Sequence, residues 1–206
     1  MADGRRRSRG RPRSKPPAER RKEFLEAALE LFTEHGYEST SVEELCRRVG
    51  VAKGTFYLYF GSKEDLALAL RERFVEESRT RLMRLVEGWE GPFTELIDAA
   101  IDFVFEFHHT NRSLFSLFYR HYPTEFGPGA ADNRRRYVEP MSRIIEEAVK
   151  RREADAAGYP TLFAYLISGA VEENLFSSMA FGIPDDPEAL KQATKLFVRK
   201  ALAPSS

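Results

Sequence analysis

At 206 residues the chain is long enough for one large helical unit or for a small domain plus a larger one, and either buries a real core. Charges of both signs and ordinary apolar content describe a globular protein; no apolar run approaches the roughly 20 residues of a membrane span, and the basic N-terminus lacks the apolar stretch of a secretory signal, so a cytoplasmic protein is expected. One cysteine, Cys46, and four scattered histidines exclude an internal disulfide and any cluster at metal-ligand spacing, so neither a metal nor another cofactor is expected. The zero net charge hides an asymmetry: Met1 to Lys22 hold ten Lys/Arg against Asp3 and Glu19, whereas the remainder holds 22 basic and 30 acidic residues. A basic arm on an acidic body points to an anionic partner at one end.

The opening "MADGRRRSRGRPRSKPP", residues 1–17, has too little apolar surface to offset its ordering entropy and is expected to be disordered alone. From Ala18 onward nearly every segment reads at the helical period, and the fold class is all-α. A first helix over Ala18 to His35 places Phe24, Ala28, Leu31 and Phe32 on one face, with Gly36 as its stop. Ser41 and Glu44 form a capping box that opens a second helix, Val42 to Val49, ended by Gly50. A short third helix, Ala52 to Tyr59, needs packing against its neighbours to exist. Ser62 with Asp65 opens a long fourth helix to Glu87, which "GWEGPF" breaks.

Beyond Gly91 the chain is richer in aromatics. Pro92 suits the first turn of a helix whose apolar stripe runs from Phe93 through Leu96, Ile97, Ile101 and Val104 to His108, with Glu95, Asp98, Asp102 and Glu106 on the opposite, solvated face. Helices over Ser113 to Tyr122 and Asn133 to Ala156 follow, separated by the loop "PTEFGPGAAD". Thr161 to Phe181 is apolar nearly all round and reads as a helix buried on more than one side; Pro187 to Leu202 closes the chain with Leu190, Phe197 and Val198 on one stripe and Lys191, Lys195 and Arg199 off it. The count is about nine helices. The expected organisation is an arm over 1–17, a three-helix unit over 18–65 and a larger bundle over 66–206.

Two short helices joined at "RVGVAK" form a helix-turn-helix signature, in which the second helix enters the major groove of DNA. Its leading residues, Ala52, Lys53, Gly54 and Thr55, allow close backbone approach and supply a cation and a hydroxyl for bases or phosphates. Phe56 and Phe60, at i and i+4, face the core, while Tyr57 projects toward phosphate. Lys63, early in the fourth helix, adds a cation to free backbone amides at a phosphate site.

"RKEFLEAALELFTEHGYESTSVEELCRRVGVAKGTFYLYFGSKEDL" resembles the DNA-binding domain of the TetR family of transcriptional regulators, continuously over Arg20 to Leu70. The resemblance implies a homodimer, an N-terminal domain that binds double-stranded operator DNA and a C-terminal domain that binds a small-molecule effector, without enzymatic activity. By position it implies phosphate contacts from Thr40 and Ser41, recognition contacts from Lys53, Gly54, Thr55, Tyr57 and Tyr59, and a phosphate-binding lysine at Lys63. Ala52 departs from the pattern, where a capping serine is common. The arm's "RGRPR" resembles the core of minor-groove AT-hook peptides, which makes Arg9 and Arg11 DNA contacts; a nonspecific phosphate-binding tail fits the same residues. Localisation at the nucleoid follows from this reading.

No catalytic set emerges: His108, His109 and His121 have no serine or cysteine that the sequence places beside them. Cys46 is expected to be a buried structural thiol. A family-type effector pocket, largely apolar or aromatic, is expected among Phe103, Phe107, Phe115, Phe118, Tyr119, Tyr122 and Phe163, with His108 and Asn174 as polar members. The last two helices are the expected dimer interface, through Leu166, Ala170, Phe176, Leu190 and Phe197. The function implied is a repressor released from a palindromic operator by its effector; an activator, a ligand-independent regulator and a general DNA-architectural protein are the alternatives.

Overall fold

The computed structural model describes residues 15–114 and 130–204, the side chains of 130–134 and 137 excepted. All but the last three residues of the expected arm, Arg9 and Arg11 included, and most of the expected helix over 113–122, with Phe115, Phe118, Tyr119 and Tyr122, lie outside the described residues. Eight helices and no strand occur among the described residues: α1 Pro17–His35, α2 Val42–Val49, α3 Lys53–Phe56, α4 Lys63–Glu87, α5 Phe93–Thr110, α6 Ala130–Lys150, α7 Pro160–Phe181 and α8 Pro187–Ala201. The chain divides into two compact units after Ala67, and α4 runs through the division.

The first unit is organised by α1, whose buried face is Phe24, Leu25, Ala27, Ala28, Leu31 and Phe32. Gly36 ends the helix at φ 83°, a conformation that strains any residue with a Cβ. The Ser41 hydroxyl accepts from the Glu44 amide at 3.2 Å, and the Ser41 amide donates to the Glu44 carboxylate at 2.8 Å, completing the expected capping box of α2. The core of the unit is aromatic. Phe56 is fully buried, edge-on to Phe24 at 5.4 Å and tilted against Phe60 at 5.7 Å, with Phe24 and Phe60 at 6.1 Å.

The third helix is shorter than expected, a single turn over Lys53–Phe56. The backbone tightens there: the Leu58 and Tyr59 amides donate to the Thr55 and Phe56 carbonyls three residues back, so the chain turns soon enough to bring Phe60 inward. The expected Ser62 cap is present, its hydroxyl accepting from the Asp65 amide at 3.1 Å, and Leu66 and Ala67 in the first turn of α4 are fully buried.

In the second unit α6 packs along α7, and α5 along α8, which also touches α7. Phe93, Leu96, Ile97, Ile101, Val138, Ile145, Ala164, Ile167, Leu175 and Val198 form its core. Pro92 caps α5 and stands just outside its first turn. Pro140 interrupts α6, where it removes one backbone amide from the helical ladder.

The acidic face of α5 is not simply solvated. Asp98 pairs with Arg199, whose Nε lies at 2.7 Å, and Asp102 pairs with Lys195 at 2.6 Å, so two carboxylates tie α5 to the cations of α8. Those cations lie off the apolar stripe of α8 because they face α5. The opposite departure occurs on α7: Leu162 and Leu166, one turn apart, are 56% and 66% exposed, so the helix is not buried on every apolar side within the single chain.

The fully buried aromatic cluster yields a quantitative expectation. Phe56→Ala should cost the first unit about 3–5 kcal/mol, enough to unfold it in a calorimetric or denaturant titration, while Tyr57→Ala should change stability by less than about 1 kcal/mol. Equal losses at the two positions would contradict the assignment of one ring to the core and the other to the surface.

Candidate functional site

The turn between α2 and α3 is set by Gly50 at φ 74°, whose amide donates to the carbonyls of Cys46 and Arg47, and by the Val51 amide donating to Cys46 at 2.9 Å. This reverses the chain in three residues and starts α3 at Ala52, which supplies no side-chain cap. Gly54 faces open space, with nothing within 4 Å of where a Cβ would stand, so a flat surface can approach the backbone there. Lys53 is exposed and ion-paired with Glu43, which holds that carboxyl below its usual range. An exposed pair of this kind is weak, and a phosphate can take the place of the carboxylate.

Tyr57 is 52% exposed beside a fully buried Phe56, so adjacent residues serve opposite sides of the turn. Thr55 is half-buried. Tyr59 is also half-buried, and its ring lies 6.0 Å from Phe24, making it part of the core edge. Leu58, 78% exposed next to Tyr57, belongs to the same surface and had no role in the sequence reading. The signal for it was the alternation in "YLYF", which is masked because an exposed leucine reads as ordinary when its face is unknown.

Two expected DNA contacts are placed differently. Thr40 is buried, and its hydroxyl donates to the Gly36 carbonyl at 2.8 Å, because the loop after α1 must satisfy its own backbone acceptors. Its side chain therefore faces the interior. Lys63 does not extend into solvent: its ammonium donates to the Tyr37 and Thr40 carbonyls at 2.9 and 3.0 Å and lies 4.2 Å from the Tyr37 ring centre. It clamps the α1–α2 loop to the start of α4. Ser41 is exposed, but its hydroxyl and amide are held in the capping box. Cys46 is buried, which pushes its thiol up and fits a structural role.

In the second unit an apolar cavity of about 110 Å³ is lined by α4, α5, α6, α7 and α8, including Leu82, Met83, Val86, Phe93, Ile97, Ile101, Met141, Ile144, Ile145 and Ile167. None of the described aromatic candidates lines it. The cavity faces the N-terminal half of α5, whereas Phe103, Phe107 and His108 sit in its C-terminal turns, where Phe107 packs on Phe74 at 4.9 Å. Phe163 packs against the core, and Asn174 is exposed, its amide donating to the Ala170 carbonyl at 2.7 Å. The His108 ring stands edge-on to Phe74 at 5.8 Å, with Nδ1 2.7 Å from the Val104 carbonyl, and burial holds it below its ordinary value. No group of three His, Cys, Asp or Glu able to hold a metal occurs among the described residues, and no described helix is long and apolar enough to cross a membrane.

These placements generate two expectations. Lys63→Ala should lower the stability of the first unit by about 1–3 kcal/mol in a denaturant titration, since two carbonyls lose a charged donor; unchanged stability would remove the clamp. His108, neutral in the folded protein, contributes stability that is complete above its ordinary value of 6.5 and is lost as pH falls through its depressed folded value. His108→Phe should therefore flatten the decline in stability below about pH 6.5, and a decline as steep as before would place its cause elsewhere.

Residues 24–70 match the family described as "Bacterial regulatory proteins, tetR family". Among curated proteins, the HTH-type regulator YhgD of Bacillus subtilis is 26% identical over 192 residues, covering 90% of this chain and 97% of its own. YuxN of the same organism is 38% identical over 76 residues, covering 37% of this chain and 26% of its own, so the stronger likeness spans about a quarter of that relative. Among solved structures, a TetR-family transcriptional regulator from Pectobacterium atrosepticum superposes with a TM-score of 0.75 at 24% identity, covering 93% of this chain and 100% of its own. FadR of Bacillus subtilis, solved with stearoyl-CoA, has a TM-score of 0.67 at 21% identity, covering 87% of this chain and 98% of its own. The matched segment coincides with the helix-turn-helix whose residues divide between aromatic core and open edge, and over residues 24–70 the chain carries the helix-turn-helix domain of TetR-family transcriptional regulators.

Proposed function

We propose that the chain is a homodimeric repressor that holds a palindromic operator through its first unit and releases it when a small apolar effector enters its second. The observation that carries the DNA half is the exposed edge Lys53, Gly54, Tyr57 and Leu58 around a buried Phe56. In a major groove Lys53 meets a guanine or phosphate, Tyr57 a phosphate, and Leu58 offers the apolar contact that suits a thymine methyl. Ser41 at the N-terminus of α2, and Arg9 and Arg11 of the arm, add backbone contacts and salt dependence.

The second unit supplies the remaining functions under this reading. Leu162 and Leu166 on α7, with Leu196 and Phe197 on α8, leave large apolar side chains in water, and a symmetry mate placed on this face covers them. Of the expected interface residues, Leu166 and Phe197 are the exposed ones, while Ala170, Phe176 and Leu190 are half-buried in the single chain. The apolar cavity supports an effector site, as does the acyl-CoA bound by the structurally similar FadR. An effector releases DNA only if it binds more tightly to the conformation with the wrong half-site spacing.

Selection of bound DNA from a random pool should return a palindrome of two half-sites, and Tyr57→Ala should weaken binding to it at least tenfold in a titration while leaving the protein folded. Leu166→Arg should yield monomers in sedimentation and lose the palindrome's advantage over a single half-site. Recovery of no palindrome, together with full affinity of the Tyr57 variant, would sink the operator reading.

A further inference from the structure

We propose that the second unit binds a short-chain amphiphilic carboxylate, its aliphatic tail of about four or five carbons in the apolar cavity and its carboxylate at an arginine-lined cleft that shares Arg79 with that cavity. This deepens the effector reading above; the binding itself stands on the geometry of the second unit alone.

The cavity wall is aliphatic except for Phe93, and Arg79 is its one charged member among the described lining residues. Such a space stays dry and favours an apolar occupant. Its size sets the tail: a cavity of about 150 Å³ takes the six carbons of benzene, so one of about 110 Å³ takes a chain of about four or five carbons, the longer being what hexanoate carries beyond its carboxylate. A cleft of about 380 Å³ adjoins it, lined by Glu76, Arg79, Arg136, Glu139, Pro140 and Arg143. Arg79 and Pro140 line both spaces, so cavity and cleft adjoin at those two side chains, and a shift of the flexible Arg79 side chain opens one to the other.

The polarity changes along α4 and around α6. On α4 the cleft takes Glu76 and Arg79, and the cavity takes Leu82, Met83 and Val86 two turns further on; on α6 the cleft takes Arg136, Glu139 and Arg143, and the cavity takes Met141, Ile144 and Ile145. The cleft is thus charged and the adjoining cavity apolar, which matches an amphiphile with its head in one and its tail in the other. Three guanidiniums face two carboxylates in the cleft, leaving an excess of one positive charge. The Arg79 guanidinium grips the Glu76 carboxylate at 3.0 and 2.6 Å, already in the geometry a carboxylate takes with arginine. An entering carboxylate completes the charge balance that Glu76 and Glu139 leave short, whereas an amine head adds to the excess and an alcohol gains little from it.

Calorimetric titration of the full-length protein with hexanoate, hexan-1-ol, hexylamine and dodecanoate tests this directly. Hexanoate should bind at least tenfold more tightly than the alcohol, the amine or the longer acid, with a negative heat-capacity change. Arg79→Met keeps an apolar stem and should weaken hexanoate at least tenfold without altering hexan-1-ol. Ile97→Trp, or Ala100→Leu if the larger residue disturbs folding, should abolish both by filling the cavity. Equal binding of hexanoate and hexan-1-ol, tighter binding of dodecanoate, or indifference to Arg79→Met would overturn the proposal. A parallel DNA-release assay separates the two readings. Hexanoate that binds as expected but leaves the operator complex intact overturns the effector reading and not the site; release by other compounds with no hexanoate binding does the reverse.

Discussion

The edge-on contact of Phe24 with Phe56 is the constraint from which the exposed edge of the helix-turn-helix follows. Phe56 is fully buried at the end of a one-turn helix, so the positions around it have no freedom to choose their side. Phe60 turns inward with it, Tyr59 covers the edge of Phe24, and Tyr57, Leu58 and Lys53 are left in water. A helix of four residues does not persist in isolation. It exists because burial of one large ring supplies what its hydrogen bonds cannot. The exposed edge is therefore positioned by the core directly beneath it.

Lys63 extends the same logic to the loop between α1 and α2. A cation over the Tyr37 ring, donating to two loop carbonyls, links the first turn of α4 to the residues that precede α2. Thr40 assists from inside by donating to Gly36. Both residues thus hold the frame on which Ser41 caps α2.

The second unit divides its helices between cohesion and accommodation. Ion pairs from Asp98 and Asp102 join α5 to α8 on one side, while the N-terminal half of α5 retreats from α4 and α6 enough to leave an apolar space. Dense packing is the default for a protein interior, so a persistent apolar void has a cost in lost contacts that a ligand can recover.

Helix starts and stops were legible in the residues alone, because Ser41 with Glu44, Ser62, Gly36 and Gly50 act through hydrogen bonds and backbone angles only a few residues apart. The inward facing of Phe56 and Phe60 and the outward facing of Tyr57 were likewise readable from period and local sequence. What the sequence could not determine lay in partners distant along the chain. Whether Thr40 and Lys63 face DNA or a neighbouring carbonyl, whether Asp98 and Asp102 meet water or α8, and which half of α5 borders the cavity all depend on helices up to a hundred residues away. Local chemistry sets which elements form; tertiary packing decides what each polar side chain finds within reach, since a donor or cation takes the nearest acceptor that folding brings to it.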